Sequence, residues 1–469
     1  MEISNKKLHD FNSYLIESNV AVIGIGVSNT PLIKYLVDIG AKVTVFDNRT
    51  EDSLGKDIVE HLRELKVELY LGSEYLTGLI GFDIIFRAPS VRPDLPEILR
   101  ELQRGAILTS EIEMVLELCP GTVIGVTGSD GKTTTTTLIY ELLKSQGYNC
   151  YLGGNIGIPL FTKLSEISEQ DFVVLELSSF QLMTSTTSPD IAVITNITPN
   201  HLDVHKSYEE YIESKKNIFK NQDKNGILVL NYDDEITKEL EKEAKGAVKF
   251  FSINEKISNG VILENNIIKL CENRVRKHVL NVKNTVLKGK HNYANIATAL
   301  SAVGHLVSIE NAVETIENFK GVSHRLELVR TLHGVAYYND SIGTSPTRTI
   351  SGLYAFDKKV ILIAGGYYKN IDYTLIGKPI VEKVKYLILI KSPTSERIAN
   401  AVETELTIQN KSLDILECNS MEQAVKIANR LAKMGDIVLL SPASASFDMY
   451  KNFEERGNDF KNLVCLLEE

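Results

Sequence analysis

The chain has 469 residues, too many for one ordinary hydrophobic core and equivalent to about three domains at roughly 150 residues each. Its composition is 43% hydrophobic and 24% charged, as in soluble globular proteins, and no apolar run approaches the roughly 18–20 residues that span a bilayer. The 51 basic and 61 acidic side chains give a formal net charge of −10, which disfavours nucleic-acid binding and requires a local basic site for any polyanionic ligand.

The first 15 residues contain no long apolar region, so we expect no secretory signal and no membrane insertion. The cysteines are scattered and form no CxxC pair, which predicts reduced thiols in a cytoplasmic protein. They are Cys119, Cys150, Cys271, Cys418 and Cys465.

Short β-branched runs alternate with amphipathic stretches along the whole chain, which predicts an α/β fold with mostly parallel sheets. The first segment extends to about residue 110. It contains a predicted strand over 20–25, a helix from about Pro31 and a second strand over 42–47.

A glycine-rich turn follows the first strand. Gly24 and Gly26 begin a dinucleotide-binding pattern, but Asn29 occupies the place of its third glycine. The incomplete pattern indicates a Rossmann-like domain that holds a diphosphate and does not establish a nicotinamide cofactor. Arg49 follows Asp47 at the end of the second strand, where it either binds a phosphate or carboxylate or lies in a solvated turn.

The second segment begins with a strand over 122–127 that runs directly into the sequence GSDGKT (128–133) and a helix to about residue 146. Glycines let the backbone wrap an anion, and a helix N-terminus directs free N–H groups at it. Lys132 supplies positive charge and the Thr133 hydroxyl a Mg²⁺ ligand. Val126 stands where the usual phosphate-loop spacing has glycine, yet a nucleoside-triphosphate site explains the pattern better than a plain glycine turn.

Further strands are predicted over 172–177, 191–196 and 227–230, and a helix over 292–306. Glu176 ends an apolar strand, so its carboxylate needs a partner, either Mg²⁺ or a structural cation. His201 and His205 are four residues apart, but without an HExxH pattern they do not indicate a zinc protease. Composition alone predicts Lys215 to be a solvated surface lysine.

The third segment begins near residue 322 and contains predicted strands over 336–338, 360–364, 386–390 and 437–440. We therefore expect three domains, over residues 1–110, 111–321 and 322–469. No linker rich in Pro, Gly or Ser marks either boundary.

Taken together, the motifs resemble the Mur ligase family over essentially the whole chain. They are TGSDGKTT, GGNIG, LELSSFQL, NITPNHLD, KGKHNYANIATAL, SHRLE, NDSIGTSPT and, at 441–457, SPASASFDMYKNFEERG. The last one is similar to the members that add D-glutamate. The resemblance implies a UDP-binding Rossmann-like domain, a central P-loop-type ATPase domain with a parallel sheet, and a Rossmann-like C-terminal ligase domain.

The implied reaction belongs to cytoplasmic peptidoglycan precursor synthesis. ATP phosphorylates the terminal carboxylate of UDP-N-acetylmuramoyl-L-alanine, and the amine of D-glutamate attacks the acyl phosphate. The resemblance further implies two Mg²⁺ sites, a CO₂-derived carbamate on Lys215, and a monomer without nucleic-acid partners.

The resemblance also assigns residues. The catalytic residues are Lys132, Glu176, His201 and Lys215. The ATP-binding residues are Gly128, Ser129, Asp130, Gly131, Lys132, Thr133, Thr134, Asn292, Asn295, Arg325 and Asp340. The metal ligands are Thr133, Glu176, His201 and Lys215. The residues assigned to binding the uridine nucleotide and the muramoyl group are Val27, Ser28, Asp47, Asn48, Arg49 and Asn155. The residues assigned to the D-glutamate pocket are Thr344, Lys369, Ser446 and Phe453.

Four positions depart from the family pattern: Asp130, Asn200, Ile342 and the segment 87–93, which lacks the usual SPG. Alternatives to this assignment are a Mur-type ligase for another amino acid, an NAD-dependent oxidoreductase built on the first glycine turn, and a non-catalytic nucleotide-binding protein.

Overall fold

Three separate β-sheets carry the chain, and helices pack against them. The computed structural model describes residues 5–199, 205–272, 275–368 and 372–468. The chain divides into two compact units, Met1–Phe319 and Lys320–Glu469. The first unit holds two of the sheets, so the three-domain division at residues 110 and 321 stays a prediction. Within the described ranges, no helix is long and apolar enough to cross a membrane.

The first sheet has five parallel strands in the order β3-β2-β1-β4-β5. The strands are β1 Asn19–Ile23, β2 Lys42–Asp47, β3 Glu68–Leu71, β4 Ile84–Arg87 and β5 Ile107–Thr109. The helices are α1 Lys6–Glu17, α2 Asn29–Asp38, α3 Glu51–Leu54, α4 Lys56–Glu64, α5 Pro96–Gln103 and α6 Glu111–Leu118. The last four residues of β1 are buried, as expected of a parallel strand covered on both faces.

The crevice of this sheet lies between β1 and β4, because the chain leaves β1 in one direction and reaches β4 in the other. Gly24 follows β1 with φ +90°, and a Cβ there would lie 2.7 Å from the Cβ of Ala88. The close approach of these two loops therefore requires glycine. The strand β1 ends at Ile23, immediately before this glycine and two residues before its predicted end at residue 25.

The second sheet has nine strands in the order β14-β13-β12-β11-β10-β9-β6-β8-β7. The strands are β6 Thr122–Thr127, β7 Cys150–Gly154, β8 Phe172–Glu176, β9 Ile191–Ile194, β10 Ile227–Asn231, β11 Ala247–Ser252, β12 Gly260–Glu264, β13 Ile267–Glu272 and β14 Val275–Asn281. The helices are α7 Lys132–Ser145, α8 Ser179–Leu182, α9 Tyr208–Lys220, α10 Glu235–Glu239, α11 Lys290–Val303 and α12 Ile309–Asn318.

Its strands from β7 to β12 are parallel, but β12, β13 and β14 pair antiparallel. The prediction of mostly parallel sheets did not include these hairpins. Asn265 and Asn266 form the first turn with φ +52° and +62°. Two consecutive asparagines with positive φ are typical of a tight hairpin turn, so the sequence did contain a signal for it.

The third sheet lies in the second unit and has the order β15-β16-β20-β17-β18-β19. Its strands are β15 Glu327–Leu332, β16 Val335–Asn339, β17 Val360–Ala364, β18 Val384–Ile390, β19 Asp414–Cys418 and β20 Ile437–Leu440. Its helices are α13 Pro346–Tyr354, α14 Gly377–Lys383, α15 Pro393–Gln409, α16 Met421–Leu431 and α17 Phe453–Cys465. All strand pairs are parallel except β15 with β16.

The core of the second unit should depend on β17. Ile363 is 0% exposed, whereas Ile408 on α15 is 72% exposed. We expect Ile363→Ala to lower the free energy of unfolding of this unit by about 2–5 kcal/mol, because it leaves a cavity. Ile408→Ala is the matched control and should change it by less than about 0.5 kcal/mol. Denaturant titration of both variants tests this, and equal losses would contradict the packing described.

Candidate active site at the phosphate loop

The loop after β6 is held by the end of the neighbouring strand β9. The amides of Ser129 and Asp130 donate to the main-chain and side-chain oxygens of Asn196, each at 2.9 Å. The Thr195 hydroxyl donates to the carbonyl of Asp130 at 2.6 Å. These bonds fix the loop shape before any ligand binds, at the carboxyl ends of parallel strands, where open α/β sheets bind ligands.

Two glycines of the loop cannot be replaced without movement of their neighbours. A Cβ on Gly128 would lie 1.9 Å from the Thr195 hydroxyl oxygen, and one on Gly131 would lie 2.3 Å from Oδ1 of Asn295. Gly131 has φ +78° and immediately precedes α7, which begins at Lys132. The glycines therefore serve both the backbone conformation and the close approach of Asn295 to the loop.

Two lysines donate to one carbonyl oxygen of this loop. The Nζ of Lys132 lies 2.9 Å from the oxygen of Gly128, and the Nζ of Lys215 lies 2.8 Å from the same oxygen. Lys132 also donates to the carbonyl of Ser129 at 3.0 Å. Lys132 thus places at the loop the positive charge that a bound polyanion requires in an acidic chain.

Lys215 is 1% exposed, so the expectation of a surface lysine from composition alone was wrong. Burial lowers the pKa of Lys215 well below its ordinary value, and the positive charge of Lys132 lowers it further. Its Nζ also lies 4.5 Å from the centre of the Tyr211 ring. Both effects favour the uncharged, nucleophilic form of this amine.

Tyr211 is a residue of this site that the sequence analysis missed. Its hydroxyl lies 2.9 Å from the Ser129 hydroxyl oxygen, which donates to the carbonyl of Thr198. Tyr211 precedes Lys215 by one helical turn on α9, and this i,i+4 spacing was the available signal. The two side chains therefore reach the phosphate loop from one face of α9.

Glu176 ends β8 and is 2% exposed. One carboxylate oxygen accepts a bond from Nδ2 of Asn155 at 2.8 Å. The other oxygen, Oε2, is buried and has no hydrogen-bond partner among the residues that the structure describes. A buried carboxylate oxygen without a donor fits a cation ligand. Thr133, the other oxygen ligand predicted for the cation, is buried at the start of α7.

His201 lies outside the described residues, so its predicted metal ligation is not tested. In the ranges that are described, no group of three His, Cys, Asp or Glu side chains forms a metal site. His205 is buried and its Nε2 lies 2.9 Å from the hydroxyl of Ser179. That contact places His205 in the protein interior beside α8.

Asn295 and Asn292 lie on α11. Oδ1 of Asn295 accepts a bond from the Thr135 hydroxyl at 3.4 Å, and its Nδ2 donates to Oδ1 of Asn292 at 3.4 Å. Thr134 is on the first turn of α7. The structure thus brings the predicted asparagines to the phosphate loop, and their contact with adenine stays a prediction.

The predicted nucleotide residues of the first sheet gather at its carboxyl edge. The buried Asp47 accepts bonds from the amide of Ile25 at 2.7 Å and from the guanidinium of Arg49 at 2.9 and 2.7 Å. Burial raises the pKa of Asp47, but these donors outweigh it and hold the pKa below its usual value.

The neighbouring residues Val27, Asn48 and Arg49 are exposed, and Ser28 is half-buried before α2. Asn29, which replaces the third glycine, donates to the carbonyl of Gly24 at 2.8 Å. The edge therefore offers exposed groups on a fixed backbone.

In the second unit the ends of β16 and β20 lie side by side. The Ser441 hydroxyl donates to Oδ2 of the buried Asp340 at 2.7 Å. Burial raises the pKa of Asp340 to about 6. Thr344 follows in the same loop and is half-buried, whereas Arg325 is exposed. Lys369 lies outside the described residues.

Arg456 connects the loops of the predicted D-glutamate pocket and was not assigned from the sequence. Its guanidinium donates to the carbonyls of Ser444 and Ala445 at 3.0 and 2.9 Å, and to that of Ser341 at 2.8 Å. The Ser341 hydroxyl donates to the carbonyl of Phe453 at 2.8 Å. The structure therefore brings Phe453 and the buried Ser446 into one hydrogen-bonded cluster of loops.

Family models match three consecutive parts of the chain. A Mur ligase MurD-like N-terminal domain matches residues 18–110, a Mur ligase middle domain matches 126–303, and a Mur ligase glutamate ligase domain matches 324–444. The matched residues together exceed half of the chain.

Curated relatives and solved structures agree with these matches. The UDP-N-acetylmuramoylalanine–D-glutamate ligase of Clostridium botulinum (strain Langeland) is 51% identical over 464 residues, or 99% of each chain. The same-named enzyme of Acetivibrio thermocellus is 51% identical over 466 residues, covering 99% of this chain and 100% of the relative.

The fold resembles the UDP-N-acetylmuramate-alanine ligase of Thermotoga maritima with a TM-score of 0.56 at 18% identity, over 95% of this chain and 98% of that one. It also resembles a pseudomurein peptide ligase type C of Methanothermus fervidus with a TM-score of 0.51 at 20% identity, over 90% and 96% of the two chains. The chain belongs to the Mur ligase family.

Proposed function

We propose that this chain is an ATP-dependent ligase that joins the amino group of D-glutamate to the terminal carboxylate of UDP-N-acetylmuramoyl-L-alanine. The full-length relatives that are 51% identical carry this activity in their names. The reaction supplies a peptidoglycan precursor in the cytoplasm, and we expect the enzyme to act as a monomer.

The observation that carries the chemistry is the convergence of Lys132 and Lys215 on the carbonyl of Gly128. A carboxylate and a triphosphate repel each other, so their approach needs fixed positive charge. Lys132 and the loop amides supply it from a rigid, partly buried position. Preorganised charge of this kind lowers the barrier because it does not have to reorient during the reaction.

The reaction proceeds in two steps that balance. A carboxylate oxygen of the substrate attacks the γ-phosphorus of ATP, the bond to the β-phosphate oxygen breaks, and ADP leaves. The uncharged amine of D-glutamate then attacks the acyl carbon, loses a proton, and expels inorganic phosphate to form the amide. Lys132 stabilises negative charge in the first step, and Asn155 orients the side chain of Glu176.

Mg²⁺ fits the residues present. The unpartnered Oε2 of Glu176 and the hydroxyl of Thr133 are oxygen ligands of the type it prefers. When bound, the cation neutralises phosphate charge and polarises phosphoryl oxygens. Two sites are proposed, the second with His201 and a modified Lys215.

Lys215 is the candidate for a carbamate. Its lowered pKa favours the uncharged amine, whose lone pair can attack the carbon of CO₂, and loss of one proton then gives the carbamate anion. The product would place a negative charge beside Lys132 instead of a neutral amine. The modification therefore adds an attractive ion pair at the phosphate loop.

The substrate sites fall on the remaining predicted residues. Arg49 and its neighbours at the edge of the first sheet would hold the uridine nucleotide. Thr344, Ser446, Phe453 and Lys369 would hold D-glutamate, whose two carboxylates suit a lysine. Arg325 and Asp340 would complete the ATP contacts.

The proposed reaction is tested by phosphate release from ATP with Mg²⁺, bicarbonate and UDP-N-acetylmuramoyl-L-alanine. We expect turnover with D-glutamate and none with L-glutamate, L-alanine, L-lysine or no amino acid. Turnover with another amino acid would contradict the assigned acceptor while keeping the ligase mechanism. No turnover in a folded sample would contradict the proposed reaction.

Lys215→Ala should lower kcat by at least about a hundredfold, since it removes the proposed carbamate, a metal ligand that helps to fix charge at the reacting phosphate. Small carboxylates such as acetate should restore part of the rate if the missing group is an anion. Lys132→Ala is the matched control, because it loses a cation that acetate cannot replace. Equal responses of the two variants to acetate would argue against a carbamate on Lys215.

Gly131→Ala should raise the KM for ATP roughly 10- to 100-fold, because the added Cβ displaces the loop or Asn295. Gly147→Ala is the matched control, with a φ of +95° and no atom within 4 Å of the added Cβ. It should cost only about 1–2 kcal/mol of stability from the left-handed backbone. Steady-state kinetics at varied ATP concentration separate the two, and an unchanged KM in Gly131→Ala would contradict the loop assignment.

A further inference from the structure

Residues 87–94, which begin at the last residue of β4, depart from the usual family pattern and carry two arginines. Both reach helices that belong to the second sheet of the same compact unit. The assigned nucleotide and metal residues do not include either arginine. Their contacts indicate what this segment does.

Arg87 anchors the segment to α8. Its NH2 donates to the carbonyl of Phe180 at 2.9 Å and to the hydroxyl of Thr184 at 2.8 Å, and its NH1 donates to the carbonyl of Val91 at 3.1 Å. Arg87 is 1% exposed, so these bonds are shielded from solvent. The segment is therefore fixed at its first residue.

Arg92 reaches from this fixed segment to the start of α9. Its two terminal nitrogens donate to the two carboxylate oxygens of Glu210, at 2.8 and 3.3 Å. On its other side Arg92 donates to both oxygens of Asp94, at 2.8 and 3.1 Å. Asp94 also pairs with Lys206. The four side chains form one network, and only 24% of Arg92 and 27% of Glu210 is exposed.

Glu210 holds the first turn of α9. Its amide donates to the Ser207 hydroxyl at 3.2 Å, and its carboxylate accepts the amide of Lys206 at 2.7 Å. The hydrogen bonds from Arg92 are the main cause that lowers the pKa of Glu210 to about 2, so the pair stays charged at physiological pH.

The same helix carries the two residues that reach the phosphate loop. Tyr211 follows Glu210 directly and contacts Ser129, and Lys215 lies one turn later and donates to Gly128. The position of the first turn of α9 therefore determines how both side chains meet the loop.

An isolated surface ion pair contributes little to stability, about 0–1 kcal/mol. The Arg92–Glu210 pair keeps about a quarter of each side chain exposed, so its loss should cost little stability, whereas its bidentate geometry within a network fixes the position of both side chains. If the pair positions α9, its loss should change the stability of the fold little but displace Tyr211 and Lys215. If it only supports the fold, stability should fall as well.

We propose that Arg92 and Glu210 are positioning residues of the ligase reaction. Their ion pair fixes the position of the first turn of α9 relative to residues 87–94, which lie next to the glycine turn of the first sheet. It thereby places Tyr211 and Lys215 against the phosphate loop. The kinetic test of this proposal rests on the proposed function, whereas the test by ADP binding does not.

The test uses Arg92→Gln, Glu210→Gln and the double variant of the full chain. We expect each single variant to lose about tenfold in kcat, as when a group that orients a catalytic residue is removed. Affinity for ADP, measured by calorimetry, should weaken in parallel. The KM for D-glutamate and the melting temperature should stay close to wild type. The double variant should lose no more than either single one, because both remove the same pair.

Lys216→Gln is the matched control. Lys216 lies on α9 beside Lys215, is 12% exposed in its side chain, and pairs with Glu243 at 2.6 Å and Glu213 at 2.9 Å. It should keep kcat and ADP affinity. An equal loss in this control would show that any weakening of α9 suffices and would overturn the proposal.

Two further outcomes would also overturn it: unchanged kcat and ADP affinity in Arg92→Gln, or multiplicative losses in the double variant. If Arg92→Gln does not fold, Arg92→Lys decides, since one ammonium cannot serve both carboxylates bidentately. It should lose at least about threefold in kcat and ADP affinity, and wild-type values would refute the pair's role. A wild-type chain without turnover counts against the proposed function alone, because ADP affinity still tests the pair.

Discussion

The site depends on the placement of two lysines on one backbone oxygen. Lys132 and Lys215 both donate to the carbonyl of Gly128, and the positive charge of Lys132 disfavours a second ammonium at this buried position. The conflict is relieved when Lys215 gives up its proton, which its burial favours. The same arrangement suits the proposed reaction, in which Lys132 is the cation for the phosphate and Lys215 the amine for CO₂.

The surrounding structure serves to maintain this geometry. Strand β9 fixes the loop through Thr195 and Asn196, and α9 brings Lys215 in from the opposite side. Arg92 ties the start of α9 to the segment beside the first sheet's glycine turn. The residues proposed for the uridine nucleotide and those at the phosphate loop thus lie in one compact unit, joined by short, partly buried polar contacts.

Much of this could be predicted from the sequence, because local patterns determine it. The strand over 122–127, the loop after it and the helix that begins at Lys132 were confirmed as predicted. Glu176 at the end of a buried strand was identified because a carboxylate in an apolar run needs a partner. The family and the reaction class followed from motifs spread over the whole chain.

The burial of Lys215 could not be predicted from composition, since Lys215 and Lys216 are neighbours on a polar helix. Their environments differ only in the folded protein, where Lys216 pairs with Glu213 and Glu243 and Lys215 faces the loop. The contacts of Arg92 and Arg456 could not be predicted from the sequence either, because each arginine connects segments that are separated along the chain. The burial of one lysine and the partners of these arginines are determined by the tertiary structure.

The central claim, that Lys215 reacts with CO₂ beside Lys132, is tested most directly by ¹³C NMR in ¹³C-labelled bicarbonate. The account predicts one carbamate carbonyl signal in the wild-type chain that is absent from Lys215→Gln. A wild-type spectrum without a carbamate signal, or a signal that persists in Lys215→Gln, would contradict it.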